Sequence, residues 1–214
     1  MMKPIWPKGT YYASSWRKRL FDLITAVTIL LLVSPVFILI FVILKLTTKE
    51  PAIFRQERCG RHKNFTIFKF VTMVADHGHK ALKGNPLTQP NDPRITSFGR
   101  FLRHYKLDEL PQLINVVLGD MSIVGPRPII PKQMAKYSQS EQNMLKSLRP
   151  GLTGYASLKF RHLDQMMQTQ KDPEQTYEKF IAPKKISFLK IYVKNQSLWL
   201  DIKIIWQTFW ALFR

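Results

Sequence analysis

The chain is expected to be an α+β protein, mainly helical, on three observations. A run of twenty-two uncharged residues, Leu23 to Leu44, is long enough to cross a bilayer as a helix. Two short alternating segments, Ala52 to Glu57 and Phe65 to Phe70, enclose a polar turn and predict one β-hairpin. Beyond them helical spacing dominates, up to an amphipathic C-terminal segment. Four regions follow: an arm at 1–14, an apolar helix at 15–49, a compact domain at 50–195 and an amphipathic helix at 196–214.

The apolar run would extend about 33 Å, against a hydrocarbon core of about 30 Å. Ser34-Pro35 sits at its centre. Proline removes a backbone donor and clashes with the carbonyl of Leu31, which kinks a helix. The Ser34 hydroxyl is expected to bond the Leu30 carbonyl near the bend. Arg17, Lys18 and Arg19 precede the run, and Lys45 and Lys49 follow it. Basic residues favour the cytoplasmic side, so both ends look cytoplasmic. A segment that enters, bends and leaves on one face fits these residues, and so does a kinked spanning helix. A signal peptide does not: the run is too long and no small-residue cleavage site follows it.

Pro51 ends the helix. Arg58 to Asn64 reads as the hairpin loop, with Cys59 a small turn residue. Asp76 to Arg94 is rich in Gly, Pro, Asn, Asp and His and reads as a long loop. Ser97 to Tyr105 and Asp108 to Leu118 read as short helices, Asp120 to Pro131 as an irregular turn, and Pro131 to Leu148 as an amphipathic helix. Pro150-Gly151 marks a break, and Pro173 to Asn195 reads as a helix interrupted near Pro183. At the C-terminus, Trp199, Ile202, Ile205, Trp206, Phe209, Trp210 and Phe213 recur at helical spacing, opposite Asp201, Lys203, Gln207 and Thr208. Such a tryptophan stripe suits the headgroup region of a membrane. Packing against the domain core is the alternative.

The 33 Lys+Arg against 14 Asp+Glu give a net charge of +19, which calls for an anionic partner. Nucleic acid, anionic lipid and phosphorylated substrates all qualify. No recognised nucleic-acid-binding motif accompanies the charge, and the apolar run favours the other two. The single cysteine excludes an intrachain disulfide and a cysteine-based zinc site. The Asp76-His77-Gly78-His79 stretch lacks a third ligand at a recognisable spacing.

Two constellations carry chemistry. In Leu107-Asp108-Glu109-Leu110-Pro111, Pro111 fits a first helical turn, which places both carboxylates at a helix N-terminus where anions gather. Neighbours on a helix project about 100° apart, so the two acids are inequivalent. One can face a reacting phosphorus while the other holds a metal or moves a proton, with Arg100, Arg103 and Lys106 around them. The plainer reading is an acidic cap on a core helix. In Gly125-Pro126-Arg127-Pro128, two prolines fix the backbone around a guanidinium suited to clamp phosphate, or simply build a rigid turn.

Together these stretches resemble the small monotopic phosphoglycosyl transferases, the bacterial sugar transferase family. Further matches are Lys18-Arg19-Leu20-Phe21-Asp22, Ser34-Pro35, Phe54 to Gly60, Lys69-Phe70, Asp92 to Thr96, Gly99 to Arg103, Asn115-Val116, Gly119 to Ser122, Pro150 to Gly154 and Ser197 to Asp201, in family order. The resemblance implies a cytoplasmic catalytic domain on a re-entrant membrane helix kinked at Ser34-Pro35, with interfacial amphipathic helices, at the cytoplasmic face of a bacterial inner membrane. It implies transfer of a sugar phosphate from a UDP-sugar to undecaprenyl (polyprenyl) phosphate with release of UMP. Asp108 would be the nucleophile, forming a covalent phosphosugar intermediate, and Glu109 would assist, both carboxylates serving Mg²⁺. Arg103 and Arg127 would bind phosphate, joined by Lys69 and Arg94, with Pro126 and Pro128 shaping the turn. Membrane lipids, anionic ones first, are expected partners. Nucleic acid is not, and homo-oligomerisation stays open. The competing hypothesis is a membrane-tethered basic binding protein without catalysis. Val71 replaces a family arginine, Lys106 a serine or threonine, and Ser157 to Arg161 depart from the family's polar stretch, which bears on sugar specificity.

Overall fold

A computed structural model of the chain describes residues 11–74, 92–161 and 173–211. The expectations for most of the N-terminal arm, for the 76–94 loop up to residue 91 with His77 and His79, and for Phe213 lie outside these residues.

After one helical turn (α1, Tyr11–Ser14), helix α2 runs from Trp16 to Thr47. Ser15 caps its start by accepting from the Lys18 amide. Its 32 residues would extend about 48 Å. Ser34 Oγ donates to the Leu31 carbonyl at 2.8 Å, not to that of Leu30. This is the carbonyl that Pro35, lacking an N–H, leaves without its i+4 donor, so the hydroxyl stands in for the missing amide.

Both ends of α2 are fastened to the same domain. Near the start, Arg19 donates to the Val116 and Val117 carbonyls, and Ala26 joins the main core. Near the end, Ile40 and Leu44 pack with Ala52, Phe70 and Leu102, and the Phe37 ring lies 4.9 Å from that of Phe70. Between these anchorages Leu31 and Leu32 are 70% and 75% exposed, with Ile38 and Leu39 also bare. Water-facing leucines in such a row mark a surface meant for a non-aqueous neighbour.

The hairpin pairs β1 (Ile53–Cys59) with β2 (Asn64–Phe70), in register from Ile53↔Phe70 to Cys59↔Asn64. It is longer than expected. Arg58 and Cys59 belong to the strand rather than the loop, and Cys59 is buried, its amide donating to the Ile129 carbonyl at 2.8 Å. Helix α3 (Ser97–His104) is capped by Thr96. The helix expected at 108–118 is divided: a 3₁₀ turn (Leu107–Glu109) precedes α4 (Gln112–Leu118). Pro111 cannot donate to the Leu107 carbonyl, which takes the Leu110 amide at 3.2 Å instead. Buried Asn115 fixes α4 against the outer edge of β2. Its amide donates to the Thr66 carbonyl and its oxygen accepts the Phe68 N–H.

A parallel pair, β3 (Ser122–Val124) with β4 (Gly151–Thr153), occupies the stretches read as an irregular turn and a break. Three residues are too few to show periodicity. The two chains approach so closely after β3 that a Cβ on Gly151 would stand 2.1 Å from the Gly125 nitrogen. The helix expected at 131–148 is two, α5 (Pro131–Met134) and α6 (Gln139–Ser147). Ser138 and Glu141 form a capping box that starts the second afresh.

After α7 (Tyr155–Lys159), the long helix expected from Pro173 is α8 (Pro173–Thr176), a π turn (Tyr177–Ile181) and α9 (Ala182–Asn195). The π turn ends at Ile181, directly before Ala182-Pro183, where the wider winding absorbs the missing amide bond. Helix α10 (Leu198–Ala211) is the last of the described elements. Its tryptophan stripe faces outward, with Trp199 79% exposed, while Ile204 and Asp201 are fully buried and Thr208 meets Thr153. The packed face is Asp201, Ile204, Ile205 and Thr208, so Ile205 of the expected stripe turns inward, whereas Lys203 and Gln207 of the expected polar face are exposed with the tryptophans.

Candidate active site

The 3₁₀ turn enters the site through Lys106, which holds the left-handed conformation at φ 56°. For a side chain other than glycine this costs roughly 1 kcal/mol. The turn buries both acids, leaving Asp108 7% and Glu109 9% exposed.

Lys69 reaches across from β2. Its ammonium is 2.9 Å from Glu109 Oε1 and 4.0 Å from Asp108 Oδ2. Arg127, from the Pro126–Pro128 turn, places its guanidinium 2.8 Å from the same Glu109 oxygen. Arg103 Nε donates to Thr72 Oγ1 at 2.8 Å, and its charge bears on Asp108. Lys69, Arg103 and Arg127 are therefore brought around the dyad. Arg94 is turned to Asp92, with Nε and a terminal nitrogen 3.0 and 2.8 Å from its two oxygens. Those hydrogen bonds hold the Asp92 carboxyl below its usual range.

The two acids are pushed apart. Burial raises the Asp108 carboxyl above the usual aspartate range, and the neighbouring Glu109 charge adds to this. Burial also works against an ionised Glu109, but Arg127 and Lys69 outweigh it and hold that group well below the usual glutamate range. Acids driven in opposite directions by their surroundings are suited to different roles.

Four buried side-chain polar atoms lack a hydrogen-bond partner among the described residues: Asp22 Oδ2, Arg58 Nε, Asp108 Oδ1 and Gln112 Nε2. Asp108 and Gln112 lie one turn apart, and the Arg58 guanidinium feels the charges of Arg127 and Glu109. The sequence places Arg58 in the matched Phe54 to Gly60 stretch and in the expected loop, and Gln112 in the expected helix, but assigns neither a role at the site.

No group of three or more His, Cys, Asp or Glu that could hold a metal occurs among the described residues. A metal here would draw on one or two carboxylates, of which Asp108 offers a free oxygen. That donor set fits Mg²⁺, which takes few protein ligands and completes its shell with water and substrate phosphate.

The profile of the family described as bacterial sugar transferase matches residues 13–214. The UDP-glucose:undecaprenyl-phosphate glucose-1-phosphate transferase of Escherichia coli (strain K12) is 40% identical over 194 residues, 89% of this chain and 39% of that protein. The undecaprenyl-phosphate galactose phosphotransferase of Salmonella typhimurium is 36% identical over 210 residues, 92% of this chain and 40% of that protein. The exopolysaccharide production protein ExoY of Sinorhizobium fredii is 33% identical over 205 residues, 89% of this chain and 83% of that protein. The chain spans about two fifths of the length of the first two relatives and most of the third. With the matched profile running through the long apolar helix, the dyad and the Pro-Arg-Pro turn alike, the chain belongs to the bacterial sugar transferase family.

Proposed function

We propose that the protein moves a sugar-1-phosphate from a UDP-sugar to undecaprenyl phosphate, releasing UMP, at the cytoplasmic face of a bacterial inner membrane. The observation that carries this reading is Asp108: a buried carboxylate with a free oxygen beside an acid already neutralised by Lys69 and Arg127. Asp108 attacks the β-phosphorus of the donor. The bond from that phosphorus to the bridging oxygen breaks, and UMP leaves with the bridging oxygen. An oxygen of the lipid phosphate then attacks the acyl phosphate, forming the lipid diphosphate and returning the Asp108 carboxylate. Lys69, Arg103 and Arg127 balance phosphate charge in a transfer that depends on positioning and electrostatics. Asp108, with Glu109 beside it, would hold Mg²⁺, which would supply further charge neutralisation. Glu109 keeps Arg127 and Lys69 in place until the donor arrives.

The membrane reading rests on α2 and α10. A helix whose two ends are fastened to one domain returns to the side it left, so the bare leucines at its centre dip into the bilayer. The outward tryptophans of α10 lie in the headgroups, where basic residues meet anionic lipid. That arrangement holds the dyad where a lipid phosphate and a water-soluble nucleotide both reach it. Relatives named for glucose and for galactose are similarly distant, so the donor sugar is a matter for a screen.

The test is UMP release from a panel of UDP-sugars with Mg²⁺ and undecaprenyl phosphate. A labelled phosphosugar is expected to remain on the protein when the lipid is withheld, and to be absent with Asp108→Asn. Release of UDP in place of UMP would indicate a direct glycosyl transfer and defeat the proposal.

A further inference from the structure

We infer that Arg58 is a positioning residue that sets the Arg127 guanidinium, and through it the site's hold on the departing nucleoside monophosphate. The inference rests on the proposed function. Pro126 and Pro128 have no amide hydrogens, so the turn that carries Arg127 must be tied largely through its carbonyls. One is tied from the parallel pair: the Gly151 amide donates to the Pro126 carbonyl at 2.7 Å. The other is tied from the hairpin: Arg58 donates to the Pro128 carbonyl at 3.2 Å. Arg127 sits between the two fixed carbonyls.

Arg58 is itself aimed. A second nitrogen donates to Gln56 Oε1, and the next residue, Cys59, gives its amide to the Ile129 carbonyl. The end of β1 therefore grips residues 128 and 129 by one side-chain and one backbone bond.

A structural peg needs no charge, yet here a half-buried cation is kept within reach of another's charge. Burial, then the Arg127 charge, lowers the Arg58 pKa to about 10, with Glu109 opposing. Arg58, Arg127 and Lys69 all act on the single Glu109 carboxylate. The corner carries more positive than negative charge until an anion enters, and a phosphate matches that surplus.

The experiment is calorimetric binding of UMP to the full chain in nanodiscs. Arg58→Met is expected to weaken UMP binding about tenfold with the melting temperature nearly unchanged. Combined with Arg127→Met it should add little to the loss from Arg127→Met alone, because the two residues act as one unit. Arg58→Lys, which keeps a cation but cannot bridge Pro128 and Gln56 together, is read if the methionine variant does not fold, and should bind about threefold more weakly. Folded variants that bind UMP like the unmodified protein, or losses that sum in the double variant, would overturn the inference alone. An unmodified protein that binds no uridine nucleotide would overturn the proposed function and this inference together.

Discussion

Two buried charge clusters in this protein are built from the same residue types and do opposite things. In one, the Lys18 ammonium lies 2.8 Å from Asp22 Oδ1 and 2.8 Å from Asp201 Oδ2. The Ile123 amide, Tyr12 and Tyr192 complete the carboxylates from the side, and all three charged residues are at most 2% exposed. In the other, Lys69 also lies between two carboxylates, but Arg127 is half exposed and Asp108 keeps an empty oxygen. The first cluster is buried throughout, Asp22 Oδ2 alone of its carboxylate oxygens lacking a hydrogen-bond partner, and it joins α2 to α10 and β3. The second is the one to which the proposed function brings a ligand. What separates structure from chemistry is which acceptors are left unfilled beside reachable cations.

The sharpest way to break that contrast is Asp108→Asn. Turnover should fall at least about a thousandfold, roughly 4 kcal/mol in the barrier. The melting temperature should hold or rise. A carboxyl raised in the folded state stabilises the fold below its unfolded pKa, and that contribution is lost as pH climbs through the folded value, so at neutral pH its removal is a relief. Lys18→Met should do the reverse, costing about 3–5 kcal/mol of stability because two buried carboxylates lose their cation. Thermal unfolding in nanodiscs reads the loss, and folded protein should still bind UMP. A variant that keeps its melting temperature but loses nucleotide would merge the two clusters into one functional network.

The pH profile sharpens the division of labour within the open cluster. With Asp108 as the nucleophile, kcat/KM should fall as pH drops through a limb above the ordinary aspartate value of about 3.9. A limb below that value would transfer the role to Glu109, whose carboxyl is held low. The smallest effect belongs to Lys106→Gly, which frees the left-handed residue before the dyad and should stabilise the fold by at most about 1 kcal/mol. A large loss of activity in that variant would show that the ammonium itself takes part.

Much of the open cluster was legible in the sequence. Asp108, Glu109 and the Pro126–Pro128 turn stand in short motifs whose chemistry is local. The sealed cluster was not. Lys18 read as a flanking charge and Asp201 as part of a polar helix face, because only the fold brings them together. Arg58 was hidden by a two-residue error in where the hairpin strand ends. The parallel pair that fixes Gly125 and Gly151 was too short for any periodic signal. Elements defined by repetition could be read, whereas those defined by one long-range contact could not.

The Lys18–Asp201 bridge has a consequence for how the protein is made. Asp201 lies in α10, far along the chain from Lys18, so until α10 is made Lys18 has only Asp22 of its two carboxylate partners. The start of α2 cannot lock into its buried seat until α10 has left the ribosome. Folding is thus ordered in time: the apolar stretch of α2 is made early, but its root is secured only when α10 arrives.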